Sequence, residues 1–152
     1  RLAGASSTGD AAMRRTFDLG GTGVPAVPFA IGHRAIGLLR GLPQDAREGP
    51  AALVANVDYR FPIVRVERGI RTWPFFLRDV HGALFADIGS AGEALDTLPA
   101  AAWSVGGELG ARLTLGYTWN LSVAAGAAWV RDPVRRNDHD GMAVFVRTGY
   151  AF

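Results

Sequence analysis

The fold is decided by two adjacent stretches, WSVGGELGARLTLGY over residues 103–117 and WNLSVAAGAAWV over residues 119–130. In both, apolar side chains recur at every second position, which is the period of a β-strand whose successive side chains point to opposite faces. Each stretch therefore predicts a strand with one apolar face and one small or polar face. The apolar positions are Trp103, Val105, Leu109, Ala111, Leu113, Leu115, Tyr117, Trp119, Leu121, Val123, Ala125, Ala127 and Trp129. The opposite positions include Ser104, Glu108, Arg112, Thr114, Asn120, Ser122, Ala124, Gly126 and Ala128.

The same alternation continues over residues 53–63, 75–89 and 142–152. Residues 51–152 are thus predicted to form five consecutive strands.

The predicted connections between these strands differ in length. Residues 66–70 and 116–118 are short enough for tight turns, whereas residues 90–101 and 132–141 form longer connections rich in polar residues, Gly or Pro. Short turns that alternate with long loops are typical of outer-membrane barrels.

The composition of the two faces separates a membrane barrel from a soluble β-sandwich, which alternates in the same way. A sandwich packs large aliphatic side chains inside and turns its polar face to water. Here the polar faces carry Gly, Ala and Ser with isolated charges, which suits a crowded polar interior. Aromatic residues near the strand ends resemble the girdles at membrane interfaces. We therefore predict an all-β fold, an antiparallel transmembrane β-barrel, with a soluble ligand-binding β-barrel as the alternative. The isolated charges are Asp58, Arg60, Glu108, Arg112 and Arg147.

The region before residue 51 is less regular. Residues 1–14 predict a loop or the frayed end of a strand, and residues 15–21 a short strand that ends at two glycines. Residues 22–50 form a long connection that is rich in Gly and Pro but apolar in its middle. A connection of that length is normally functional or contains an unrecognised element. The alternative is a short amphipathic helix around residues 32–40.

Counting strands gives five, with part of a sixth, whereas the smallest single-chain barrels have about 8. An open sheet in lipid would leave unpaired backbone groups at its edges, each costing several kcal/mol. We therefore expect residues 1–152 to be the C-terminal part of a longer barrel, or one of several copies in an oligomer.

Several other classes of protein are disfavoured. The net charge is only +2, and all 16 basic residues are scattered arginines, so nucleic acid is not an expected partner. The chain has no cysteine for thiolate metal sites, no stretch resembling a signal peptide, and no apolar run near the ~20 residues of a spanning helix. Residues 138–140, Asp-His-Asp, are adjacent on a predicted loop and do not form a metal site. No nucleophile elbow or phosphate loop is present, so we expect no enzyme, cofactor or metal.

Three motifs resemble the C-terminal barrel half of the BamA/TamA superfamily, the bacterial surface antigen family. The long connection contains Leu39-Arg40-Gly41-Leu42, ahead of a strand that includes Asp58-Tyr59-Arg60-Phe61-Pro62. A later strand contains Phe85-Ala86-Asp87-Ile88-Gly89, and the final strand has Gly149 and ends at Phe152. The resemblance covers residues 16–152. It departs at Leu42, where the family usually has an aromatic residue.

The resemblance implies that the connection 22–50 folds back into the barrel lumen and that Arg40, at its tip, pairs with Asp87 on the wall. A guanidinium in a narrow interior needs a carboxylate partner, which it can grip in a bidentate fashion. Phe85 would stack beside Arg40, and Gly41 would allow a sharp turn. The alternative is that Arg40 is solvated and that Asp87 pairs with a neighbouring arginine such as Arg60.

The final strand is expected to act also as an assembly signal. Its candidate residues are Gly149, Tyr150 and Phe152. An exposed strand edge with terminal aromatic residues suits recognition by strand addition. An ordinary closing strand with interfacial aromatics is the other interpretation.

The resemblance implies an outer-membrane component that assembles or translocates proteins (or lipids) across the bacterial outer membrane. Its partners would be outer-membrane lipid, the barrel-assembly machinery and unfolded outer-membrane protein clients. The alternative is a non-transporting anchor for a periplasmic or surface domain.

Overall fold

The computed structural model describes residues 1–8, 16–21, 34–37, 39–43, 46–69, 72–134 and 140–150. These residues form an all-β structure with one short 3₁₀ turn at Leu95–Thr97. Within them, no helix has the length and hydropathy that a bilayer crossing requires. The strands are β1 Leu2–Ser6, β2 Phe17–Leu19, β3 Arg34–Gly37, β4 Arg47–Gly49, β5 Ala51–Gly69, β6 Phe75–Gly92, β7 Ala102–Leu115, β8 Trp119–Arg131 and β9 Gly141–Tyr150.

Six of these strands form one antiparallel sheet in the order β1-β5-β6-β7-β8-β9. From β5 onward each strand pairs with the next one along the chain, as the run of alternating segments predicts. The five strands predicted within residues 51–152 are thereby confirmed. Strands β1 and β9 are the two edges and do not pair with each other, so the described residues form an open sheet.

The remaining three strands form a small second sheet in the order β3-β2-β4. Strand β2 confirms the short strand predicted within residues 15–21, and its pairing with β3 is parallel. The alternative of a helix around residues 32–40 is wrong over residues 34–37, because their backbone is extended and pairs with β2. Of the first fourteen residues, Leu2–Ser6 form a strand beside β5, and residues 9–14 lie outside the described part.

The predicted tight turn at residues 66–70 is also wrong over residues 66–69, and residue 70 lies outside the described part. Strand β5 continues to Gly69 and still pairs with β6 there, opposite Phe76. The register shifts between Arg65 and Arg68, and Glu67 has a φ of 41°. Such a bulge inserts unpaired residues without ending the ladder, so the alternation breaks as it would at a turn. The turn predicted at residues 116–118 is confirmed.

The predicted long connection at residues 90–101 begins later than expected. Residues 90–92 still belong to β6, where they pair with the start of β5. Small residues at Ser90, Ala91 and Gly92 carry little strand signal of their own, so the pairing with β5 decides their conformation.

The two faces of the large sheet differ in polarity, as the sequence predicts. We call the face that carries the small sheet the inner face, and the opposite one the outer face. On the outer face Val57, Leu109 and Val144 are 67%, 62% and 78% exposed. On the inner face Asp87 and Glu108 are 2% and 4% exposed. The apolar side is therefore uncovered in this chain, while ionisable side chains are buried.

A compact apolar cluster joins the small sheet to the inner face. Leu19 from β2 and Leu39 and Leu42 from the connection before β4 pack against Val54 and Phe85 of the large sheet, among other buried side chains. The three leucines are nearly or fully buried. Because burying a leucine side chain contributes about 1.5–3 kcal/mol, this cluster fixes the small sheet on the inner face.

Glycines on the inner face make room for the aromatic side chains of neighbouring strands. A Cβ atom at Gly106 would lie 2.7 Å from the Phe85 ring and 2.2 Å from the Ala127 carbonyl oxygen. A Cβ atom at the adjacent Gly107 would meet its nearest neighbours at 3.5 Å, an ordinary contact.

We predict that Gly106→Ala lowers the free energy of unfolding by about 1–3 kcal/mol, the usual cost of overpacking, because neither the ring nor the backbone can yield freely. Gly107→Ala, one residue away on the other face, should change it by less than about 0.5 kcal/mol. Urea titration of both variants measures the difference. Equal effects would mean that the Phe85 ring does not depend on Gly106.

Candidate functional site

The candidate site lies where the connection before β5 touches the inner face. We call its described residues 39–43 and 46–49 the strap. A tight turn brings Arg40 and Gly41 to the tip of the strap, closed by a hydrogen bond from the Leu42 N–H to the Leu39 carbonyl oxygen at 3.1 Å. Gly41 has a φ of +88°, which favours glycine.

Gly41 is also required by close packing. A Cβ atom there would lie 2.7 Å from Val130 and 2.9 Å from Ala128, both on β8. The strap tip therefore lies directly against the inner face, and no side chain larger than hydrogen fits at this position. The sharp turn expected at Gly41 is confirmed.

Arg40 is the centre of a buried hydrogen-bond network. Its Nε and Nη2 donate to the two carboxylate oxygens of Asp87 at 2.8 and 2.7 Å, and its backbone N–H donates to Asp87 at 3.2 Å. Nη1 donates to Asp58 at 2.5 Å. The guanidinium carbon lies 3.9 Å from the centre of the Phe85 ring. The predicted Arg40–Asp87 pair and the stacking on Phe85 are both present.

The spacing of the wall motif follows from the pleat of β6. Phe85, Asp87 and Gly89 are two residues apart, so all three lie on the inner face. Phe85 and Asp87 contact Arg40. A Cβ atom at Gly89 would lie 3.4 Å from Leu19 of the small sheet and 3.2 Å from a β5 carbonyl oxygen. Phe85 and Asp87 therefore contact the strap, and Gly89 leaves room for the small sheet.

Two members of the network come from β5 and were not predicted. Asn56 lies directly opposite Asp87 in the register, and its side-chain amide donates to Asp87 at 2.9 Å. Asp58 lies opposite Phe85 and accepts from Arg40. The register of the β5–β6 hairpin would have identified both, since inner-face residues of paired strands are neighbours. The alternative partner, Arg60, lies opposite Ala83, further along the hairpin.

The charges in the network stabilise one another. Burial alone lowers the pKa of Arg40, but the hydrogen bonds that its guanidinium donates to Asp87 and Asp58 outweigh it, and the net pKa lies above the ordinary value. The guanidinium is therefore permanently charged.

Two further ion pairs lie on the inner face of the sheet. Arg147 of β9 pairs with Glu108 of β7, reaching across β8, with an Nε to Oε2 distance of 3.0 Å. Gly126 of β8 lies opposite Glu108 in the register, and a Cβ atom there would be 2.7 Å from the Phe145 ring and 2.9 Å from the Cβ atom of Glu108. Arg112 of β7 donates from Nε to Asp79 of β6 at 2.7 Å.

His81 and Asp140 each have a polar neighbour in the described part of the chain. His81 Nδ1 lies 3.3 Å from Asp79, which Arg112 already binds. Of residues 138–140 only Asp140 is described, and it accepts a hydrogen bond from the Asp132 N–H at 2.6 Å. In the described part of the chain, no group of three metal-binding side chains is present.

The expected assembly signal is described only in part. Gly149 lies on β9 opposite Ser122, and Tyr150 is the last residue of that strand. Phe152 lies outside the described residues. The signalling role of these residues stays a prediction.

Comparison of the chain with known protein families, with curated proteins and with solved structures gave no match.

We predict that Arg40→Ala lowers the free energy of unfolding by about 3–5 kcal/mol, because Asp87 is left buried without its counter-charge. Asp87→Ala should be similarly severe, and the double variant should be less severe than the sum, with a coupling of about 0.5–3 kcal/mol. Urea titration of the four proteins gives the cycle. Arg60→Ala, an exposed arginine of the same face, is the control and should be nearly neutral. Strict additivity would contradict a direct pair.

Proposed function

We propose that this chain forms part of a membrane-embedded antiparallel β-barrel in the bacterial outer membrane, with the strap inside its lumen. The barrel would be of the BamA/TamA type and would serve the assembly or translocation of proteins (or lipids) across that membrane. Its partners would be outer-membrane lipid, the barrel-assembly machinery and unfolded outer-membrane protein clients.

The observation that carries this proposal is the inverted distribution of polarity across the large sheet. In a soluble sandwich the apolar face is covered and the charged face is wet. Here many apolar side chains are exposed on the outer face, whereas Arg40, Asp87 and Glu108 are buried on the inner one. Acyl chains are the environment that such an outer face fits. The exposed set includes Leu53, Val57, Tyr59, Ile63, Leu84, Ile88, Val105, Leu109, Trp129, Met142, Val144 and Val146.

Strand lengths and aromatic residues support the same proposal. Strands β7 and β8 have 14 and 13 residues, long enough for the ~9–11 that a tilted bilayer crossing needs. Tyr117 and Trp119 are 78% and 70% exposed at the tight-turn end, and Trp129 is 57% exposed near the opposite end of β8. Amphipathic rings at both ends of a strand favour the two membrane interfaces.

The two open edges set a requirement on the complete barrel. In a bilayer, the free backbone groups of β1 and β9 must be paired. Further strands, from other parts of a longer polypeptide or from other copies, would therefore close the barrel. The family resemblance implies about 16 strands, which is within the known range.

The strap motifs favour the BamA/TamA type among outer-membrane barrels. The family resemblance implies a contact between the loop tip and the barrel wall, and here Arg40 binds Asp87 while Phe85 stacks on the guanidinium. The second candidate function, a non-transporting anchor, is favoured by Leu42. This residue is 3% exposed and fills the apolar cluster where the family usually has an aromatic side chain.

If the outer face contacts lipid, an arginine introduced there should lower the free energy of unfolding, and more so near the middle of the bilayer than at its surface. Leu109→Arg lies mid-strand on the outer face and should lower the free energy of unfolding in lipid vesicles by about 2–4 kcal/mol. Tyr117→Arg, at the turn, should cost only about 0–1 kcal/mol. Both are measured by denaturant titration of the protein folded into vesicles. If Leu109→Arg is neutral, or if the complete folded protein with all its barrel strands stays in the aqueous phase, the membrane location is wrong.

An experiment in cells distinguishes an assembly or translocation function from a non-transporting anchor. Loss of an assembly component should reduce the folded amount of other outer-membrane proteins, measured by heat-modifiable mobility of their barrels, and Arg40→Ala in the full protein should act in the same direction. Arg60→Ala serves as the control. Unchanged barrel proteins after loss of this protein would favour the anchor.

A further inference from the structure

A second buried arginine of the strap makes contacts that the Arg40 network does not explain. Arg47 lies on β4, and its Nη2 and Nε donate to the two carboxylate oxygens of Asp132 at 2.5 and 3.3 Å. Its Nη1 donates to the Ala100 carbonyl oxygen at 2.6 Å and lies 3.4 Å from the Ser90 hydroxyl. Arg47 is 8% exposed and Asp132 is fully buried.

These contacts join three segments that are far apart in the chain. Asp132 follows directly on β8 and begins the connection to β9, and Ala100 belongs to the connection between β6 and β7. Strand β4 itself belongs to the strap. One guanidinium therefore links the strap to both of the long connections at this end of the large sheet.

The neighbouring residues show that Asp132 and β4 are held in place. The Asp132 carboxylate also accepts the Val134 N–H at 3.0 Å, and its own N–H donates to Asp140. Beside Arg47, a Cβ atom at Gly49 would lie 2.5 Å from the Gly92 carbonyl oxygen at the end of β6. The strap is thus pressed against the sheet, and Arg47 is fixed at the junction.

We propose that Arg47 and Asp132 form a latch that holds the strap and the two long connections together and closes this end of the inner face. The latch is separate from the Arg40 network, which fixes the tip of the strap to the middle of the wall. Closure of a barrel lumen by the latch rests on the proposed function, whereas the latch itself does not.

Limited chymotrypsin digestion of the folded full chain in detergent tests the latch. Cleavage after Leu95, in the connection between β6 and β7, reports opening of this end of the sheet. Cleavage after Tyr117, in the tight turn between β7 and β8, reports the opposite end. When opening is fast, the cleavage rate follows the population of the open form.

Arg47→Gln and Asp132→Asn should each accelerate cleavage after Leu95 by about tenfold, the order expected when a buried charge pair governs local opening, while cleavage after Tyr117 stays unchanged. The double variant should be cleaved no faster than the worse single variant, because both remove the same interaction. Arg131→Gln is the matched control. It removes a positive charge, as Arg47→Gln does, from the exposed neighbour of Asp132, and it should leave the rate unchanged.

Three results would overturn the latch: no acceleration in Arg47→Gln and Asp132→Asn relative to Arg131→Gln, equal acceleration at both ends, or a double variant with multiplied effects. If Arg47→Gln does not fold, the nearly isosteric Asp132→Asn, compared with Arg131→Gln, still tests the latch. Failure of the complete protein, with all its barrel strands, to enter vesicles would count against the proposed function and leave the latch standing.

Discussion

The structure depends on the burial of a permanently charged guanidinium between two carboxylates. Arg40 reaches the inner face on a turn, and Asp87 and Asp58 receive it from two neighbouring strands. A buried charge without partners costs far more than a turn and a few apolar contacts can supply. The strap, the start of β5 and the middle of β6 must therefore adopt their positions together, and each of them is incomplete alone.

The pleat of the sheet makes this arrangement possible. A period of two places Phe85, Asp87 and Gly89 on one face, and the antiparallel register brings Asn56 opposite Asp87. Small residues on the same face leave enough space above the sheet for long side chains to cross it. Arg147 reaches Glu108 across β8, and the strap tip lies on Ala128. The alternation of the sequence thus encodes both an apolar outer face and an inner face with room for ion pairs.

The sequence was most informative where its local pattern and the tertiary structure agree. Alternation over residues 51–152 predicts the strands and their faces, because each strand meets the same two environments along its length. The Arg40–Asp87 pair was predictable from the motif resemblance. The β5 bulge was not, because Val66 and Glu67 lose the alternation just as turn residues do. Strand β3 was not predictable either, since its partner β2 supplies the pairing.

The Arg47–Asp132 pair shows a different limit. The two residues are 85 positions apart, and neither belongs to a repeating pattern. Their contact follows only from the path of the strap across the end of β6, which Gly49 and Gly92 allow by their lack of side chains. Such a contact becomes visible only once the topology is known.

The ion pairs of the strap fix its register on the inner face, which apolar contacts alone would not do. An apolar strap would bind the inner face with little preference for one register, because hydrophobic contacts are non-directional. Two arginines with bidentate carboxylate partners, Asp87 on β6 and Asp132 directly after β8, admit a single position, since a shift of one residue in the strap would leave buried charges unpaired. The Arg40 and Arg47 ion pairs therefore supply specificity more than net stability.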